Sequence, residues 1–309
     1  MRVQSRGWGN LCGIVGIRLK SPDLYPALGE LVTPMIDVLA SRGRDSTGVA
    51  IYNHDAPLGA TKYSLCAPSA SYDWSRYVAA LETKVGVVPV EFRQRGRDAV
   101  IVTELGSGRG PELLREIDPD VKLFGFGTAI EVFKDVGASG EVCKRYGVAE
   151  MTGYQAIGHT RMATESAVTI EHSHPFAVSA DQALVHNGSF SNHATIRRQL
   201  VADGECFDTD NDSEVAARFI GREIAAGADT EEALRNTMKA FDGFFTLLLA
   251  TENSLAIVRD SFACKPMVIA ETAEYVAVAS EYIALADLPG IEKAEVFEPM
   301  PEEIYTWQS

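Results

Sequence analysis

The sequence has no apolar run near the roughly 20 residues that a membrane-spanning helix requires, no tandem repeat and no low-complexity tract. Cysteine is sparse: five residues, at 12, 66, 143, 206 and 264, with no Cys-x-x-Cys pair among them. That argues against a disulfide scaffold, a zinc knuckle and a ferredoxin-type cluster site, and it suits a reducing, cytoplasmic setting. Positive charge is also in deficit. Lys and Arg number 28 against 43 Asp and Glu, a net charge of −15, so neither nucleic acid nor an anionic membrane is an expected partner. Met1 to Asn10 carry Arg2 and Arg6 but no apolar h-region, and Leu11–Ile17 is short and interrupted by two glycines. This is not a secretion signal.

The rest is globular in composition. Of 309 residues, 46% are hydrophobic and 23% charged, enough for a large core in one domain or two. Cys12-Gly13-Ile14-Val15-Gly16-Ile17 reads as an apolar strand, and Leu28 to Leu39 as an amphipathic helix with Leu28, Leu31, Val32, Met35, Ile36 and Leu39 on one face. A polar loop, Arg42 to Gly48, precedes a strand at Val49 to Tyr52. Residues 55–150 are less regular. Tyr72 to Leu81 looks helical and Ala99 to Thr103 extended, which suggests a mixed α/β insertion.

Beyond Tyr154, strands are expected at Tyr154–Met162, Ala183–His186, Phe244–Ala250, Ser254–Val258, Met267–Ala270 and Tyr275–Ala279. Helices fit Asn192–Ala202, Ser213–Ala226 and Thr230–Ala240. Strands neighbour strands and helices come in groups, an α+β pattern with sheet packed on sheet and helices outside.

Four segments offer chemistry, each with a structural alternative. Arg161 ends a predicted strand and can grip a carboxylate, or form an internal ion pair. Asn187-Gly188 can supply an oxyanion site, or simply a turn. In the run Asp208 to Glu214 a carboxylate can hold a substrate ammonium, or Asp212 or Ser213 can cap a helix. That run fails as a calcium loop, since Ser213 replaces the required glycine and Phe219 the bidentate glutamate. The histidines at 159, 172, 174, 186 and 193 lack companion ligands at metal-site spacing, so no metal is expected.

Taken together, the blocks resemble the class II glutamine amidotransferases, N-terminal nucleophile hydrolases with a catalytic cysteine. They are Cys12-Gly13-Ile14-Val15-Gly16, Arg42-Gly43-Arg44-Asp45-Ser46-Thr47-Gly48, His159-Thr160-Arg161-Met162-Ala163-Thr164, Ser173-His174-Pro175-Phe176, His186-Asn187-Gly188 and Asp212-Ser213-Glu214. Arg259-Asp260, Lys265-Pro266-Met267 and Ala279-Ser280-Glu281 close the series. The blocks keep family order and span the chain outside 55–150. The resemblance implies a four-layer αββα sandwich of two antiparallel sheets.

It also implies roles. The free α-amine of Cys12 would take the proton of its own thiol, since an α-amine titrates near 8. The thiolate would attack the side-chain amide of L-glutamine, giving a thioester and ammonia, and water would complete the hydrolysis. Asn187 and the Gly188 N–H would form the oxyanion hole, Arg161 would bind the α-carboxylate and Asp212 the α-ammonium. Arg42 would order the loop over the nucleophile, with Thr164 and His186 as secondary contributors to the substrate pocket.

Two features depart from the family pattern. Met162 stands where an aromatic residue is common, and eleven residues precede Cys12. Residues 1–11 are expected to be a propeptide, or an artefact of a start codon placed too early with Leu11 as the true initiator. If they are retained, the chain is a catalytically silent assembly or regulatory subunit. Residues 12–309 would form the amidotransferase domain. No acceptor-binding motif is visible, so the ammonia acceptor belongs on another polypeptide. The chain looks most similar to free-standing amidotransferase subunits of glutamate-synthase-like complexes, including N-methylglutamate synthase. There FMN and iron–sulfur centres belong to the partner synthase subunits, and no cofactor is expected in this chain.

Overall fold

The computed structural model describes residues 12–162 and 168–308. The leader and Thr164 therefore lie outside the described residues. Among the described residues, no helix is long and apolar enough to cross a membrane.

The framework is two antiparallel sheets. The larger has seven strands. Its centre is β1 (Gly13–Leu19), β8 (Gln155–Arg161) and β2 (Ser46–Tyr52). Beyond β2 lies β7 (Ile130–Val136); beyond β1 lie β14 (Tyr275–Ala279), β13 (Val268–Glu271) and β15 (Glu295–Phe297). The second sheet runs β16 (Ile304–Gln308), β12 (Ser254–Arg259), β11 (Gly243–Thr251), β10 (Gln182–Phe190) and β9 (Phe176–Ser179).

Burial on both faces makes β1 a central strand. Ile14 points into the layer between the sheets, where it meets Val185, Leu248 and Ile257. Val15 and Ile17 point the other way, onto Val32, Met35 and Ile36. Those three belong to α1 (Leu28–Val38), which covers the large sheet together with α4 (Ser139–Tyr146). On the far side, α5 (His193–Ala202), α6 (Asp212–Ala225) and α7 (Thr230–Ala240) bury Ile196, Leu200, Val215, Ile220 and Leu234 against Leu247, Leu249 and Val258. The layers are thus helix, sheet, sheet, helix, as the resemblance implied.

A third antiparallel sheet is separate from both. It consists of β4 (Glu91–Arg95), β5 (Asp98–Thr103), β3 (Thr61–Cys66) and β6 (Lys122–Gly127), in that order. With α2 (Trp74–Ala80) and α3 (Gly110–Ile117) it closes a core of its own around Tyr63, Leu65, Trp74, Tyr77 and Ile101. The chain returns to the large sheet at Ile130, where β7 pairs with β2, so this unit is shorter than the irregular stretch of sequence around it. Buried charge joins the two parts. Lys62 bonds Asn53 and ion-pairs with Glu131, and Asp135 pairs with Arg97 and Arg145.

The expected polar loop at 42–48 is only half a loop, since β2 already begins at Ser46. Thr47 and Ser46 are buried ladder residues, and Gly48 is small because the His174 carbonyl oxygen lies where a Cβ would stand.

Candidate active site

Cys12 sits half-buried immediately before β1. Two side chains from distant segments converge on its carbonyl oxygen. Asn187 Nδ2 donates to it at 3.0 Å, and Arg42 Nε donates at 3.2 Å. Arg42 is in turn ion-paired with Glu281, in the turn that follows β14, and the Ile14 N–H is held by Ser280 Oγ at 2.9 Å. The nucleophile is therefore tied from both sides.

The sulfur itself lies 3.8 Å from the Met162 carbonyl oxygen. Burial raises the thiol pKa, offset in part by the Met162 backbone and by the positive charges of Arg161 and Lys265. Among the described residues no imidazole or carboxylate hydrogen-bonds the sulfur. A base for this thiol must come from elsewhere.

Asn187-Gly188 is not a turn. Both residues lie inside β10, opposite Thr246 and Phe245. The sequence signal for a turn arises because Gly188 adopts φ +145°, and a Cβ there would strike the Phe244 carbonyl oxygen. Glycine here allows two strands to approach closely and aims Asn187 at Cys12.

Arg161 closes β8 and is 5% exposed. It lies within Coulombic reach of Cys12, Asp45 and Asp212. Asp212 opens α6, but the cap is Asn211, whose side chain accepts the Ser213 N–H at 2.8 Å. That corrects the capping alternative and leaves Asp212 for other work. Its Oδ2 accepts from the Phe190 N–H at 3.0 Å, and its Oδ1 accepts from Ser213 Oγ at 3.2 Å.

His186 is buried, stacks on Phe190 at 4.4 Å and shares a 2.8 Å hydrogen bond with Ser213 Oγ. It buttresses the Asp212 turn. Behind it, His174 stacks on His159 at 4.2 Å. Among the described residues no group of three His, Cys, Asp or Glu side chains is arranged to hold a metal ion.

Cys12, Asn187, Arg42, Arg161 and Asp212 therefore lie near one another, with Gly188 next to Asn187 in the chain. Sequence reasoning missed Asn211, Glu281, Ser280 and Lys265 as parts of the site. The last three lie inside motif blocks already singled out; only their contacts assign them.

A cysteine before a buried strand, an asparagine amide on its carbonyl oxygen and an arginine within Coulombic reach of Asp212, carried on an αββα sandwich, are the arrangement expected of an N-terminal nucleophile amidohydrolase. Comparison with known proteins agrees. A family model described as a glutamine amidotransferase domain matches residues 159–287. The chain is 43% identical over 300 residues to the glutamine amidotransferase-like protein GlxB of Rhizobium meliloti (strain 1021), covering 96% of this chain and 98% of that one. It is 33% identical over 306 residues to a putative glutamine amidotransferase of Methanothermobacter thermautotrophicus, covering 96% and 99%. Among solved structures it resembles the glutamine phosphoribosylpyrophosphate amidotransferase of B. subtilis complexed with ADP and GMP. The TM-score is 0.61 at 19% identity, over 96% of this chain and 47% of that one, a likeness of fold. The chain belongs to the class II glutamine amidotransferase family and is a glutamine amidotransferase.

Proposed function

We propose that the chain is a glutaminase subunit that hydrolyses L-glutamine through Cys12 and passes the ammonia to a partner synthase. The observation that carries this reading is the convergence of Asn187 and Arg42 on the Cys12 backbone, with Arg161 and Asp212 nearby.

The thiol is neutral at neutral pH because burial raises its pKa. The α-amine of Cys12, exposed once residues 1–11 are absent, takes the thiol proton. Sulfur adds to the side-chain amide carbon of glutamine. The resulting oxyanion is held by the Asn187 amide and the Gly188 N–H. The ammonium at Cys12 returns the proton to the amide nitrogen, the C–N bond breaks and ammonia leaves a thioester. Water, deprotonated by the same amine, then releases glutamate and restores the thiol. Arg161 takes the substrate α-carboxylate and Asp212 the α-ammonium, so two opposite charges select the free amino acid. His186 and Arg42 hold these groups in place; Thr164, outside the described residues, keeps only the secondary role that the family resemblance implies.

The acceptor side is of the glutamate synthase or N-methylglutamate synthase type, in the cytoplasm, with FMN and iron–sulfur centres on the partner subunits. Its support is the extra four-stranded sheet between β2 and β7.

Intact mass of the native protein, paired with glutamate release, tests the reading. A chain beginning at Cys12 that loses glutamine hydrolysis as Cys12→Ala is the expected result. A working complex whose chain still begins at Met1, and which a glutamine-analogue electrophile fails to label, would sink the glutaminase reading and favour a silent assembly subunit.

A further inference from the structure

A cavity of about 330 Å³ lies where the third sheet meets the main sandwich. It opens beside the edges of β6, β7 and β9. Phe124, Phe126, Phe176 and Val178 line it, and Lys134 and Glu171 face it.

Lys134 is unusual. It is 4% exposed, and its ammonium lies 4.7 Å and 5.0 Å from the ring centroids of Phe124 and Phe176. Its hydrogen bonds go to backbone carbonyls, Ser173 at 2.8 Å and Pro175 at 3.4 Å. Among the described residues it forms no salt bridge, although the charges of Glu214 and Glu171 reach it. Burial lowers its pKa to about 8, against the pull of those carboxylates. Lys134 is thus held by carbonyls and rings with carboxylates only at Coulombic range, and a ligand carboxylate in direct contact would offset more of the cost of burying its charge. Glu171, on the same cavity wall, is hydrogen-bonded by Thr169 and feels the charges of Lys122 and Lys134, but forms no salt bridge among the described residues.

We propose that this cavity is a second ligand site, for a small α-amino acid with an apolar side chain. Its carboxylate faces Lys134, its ammonium faces Glu171, and its side chain lies against Phe124, Phe176 and Val178. The size fits, since a cavity of about 150 Å³ holds a benzene ring and twice that holds about a dozen non-hydrogen atoms. The mixed charge excludes a plain anion, because carboxylates stand on the wall with the cations.

The site is also placed to influence the catalytic cleft, a corollary that rests on the glutaminase reading. Glu214, another wall residue, accepts the N–H groups of Asp208 at 2.9 Å and Thr209 at 2.7 Å, and so shapes the turn that presents Asp212. Lys134 holds the carbonyls on either side of His174, whose ring stacks on His159.

Titration calorimetry on the full chain tests the site. L-Phenylalanine, L-leucine or L-methionine should bind saturably at one site. N-Acetyl-L-phenylalanine and L-phenylalaninamide should each bind at least about tenfold more weakly, since each removes one charge contact. Glu171→Gln should weaken binding similarly, and Val178→Trp should abolish it, both variants melting as cooperatively as the parent. No binding by any of the three amino acids, or equal binding by the N-acetyl compound, overturns the proposal. So does competition by L-glutamine with loss in Asp212→Asn, which places the ligand in the catalytic pocket. The corollary has its own readout: saturating L-phenylalanine should shift the glutamine half-saturation concentration several-fold, and an unchanged value overturns the coupling while leaving the site.

Discussion

Asn187 carries the clearest residue-scale consequence. Its amide holds the Cys12 carbonyl oxygen, and the proposed mechanism has it turn to the tetrahedral oxyanion. Asn187→Ala is expected to lower kcat for glutamine hydrolysis by about 10²-fold or more and to change KM little, because the lost bond matters mainly in the transition state. Steady-state glutamate release measures the split. A rise in KM at constant kcat would instead make Asn187 a substrate-binding group. Asp212→Asn should behave in the opposite sense. It removes the charge proposed to face the substrate ammonium while keeping the acceptor for the Phe190 N–H, so KM for glutamine should rise more than kcat falls.

At the scale of elements, β10 decides the site. It brings Asn187 beside Cys12, and its partner β11 can approach only because residue 188 lacks a side chain. Gly188→Ala would meet both the positive φ and the Phe244 carbonyl. The expected cost is about 3–5 kcal/mol, read as a lowered thermal or urea midpoint. A variant as stable as the parent would show that β10 and β11 can separate without loss. The same strand explains why Asn-Gly misleads. The dipeptide favours turns through the freedom of glycine, and here that freedom serves close packing. The strand β7 was not read from sequence for a different reason. Lys134, Glu131 and Asp135 are charged yet buried, each with partners from other elements. A hydrophobic pattern cannot reveal a charge whose partner lies far along the chain.

For the whole molecule, buried titratable groups set the pH range of stability. Burial lowers His159 to about 3 and His174 well below its usual value, and it lowers His186 as well. The folded chain refuses protons that these imidazoles accept when unfolded below about pH 6.5. Their contribution is therefore present above that pH and is lost as pH falls. Asp98, at the junction of the third sheet and the sandwich, works the other way. Burial raises it to about 7, so its ionisation costs stability as pH rises from about 4 through 7. Three groups against one predict net loss of stability on acidification from pH 6.5 to 4. Asp98→Asn should gain on the order of 2 kcal/mol at pH 8 and nothing at pH 4. Urea midpoints across that range check both statements, and an equal gain at both pH values would refute the Asp98 assignment.

By itself the sequence determined the local elements and the kind of chemistry. Apolar patterning set β1, α1, α6, α7 and the strands β8, β10, β11, β12, β13 and β14, because these elements bury regular faces, whereas β9, β15 and β16 were not read from it. The ordered blocks around Cys12, Arg161, Asn187 and Asp212 named the family. Only the tertiary structure decided which of those residues meet. Asn211, and not Asp212, caps α6; Asn187 sits in a ladder rather than a turn; and Cys12 is gripped by Asn187 and Arg42 from segments 175 and 30 residues away. The reason is physical. Helices and strands follow from neighbours a few residues apart, whereas a catalytic cleft is made of contacts whose partners are remote in sequence and take up their positions only when two sheets pack face to face.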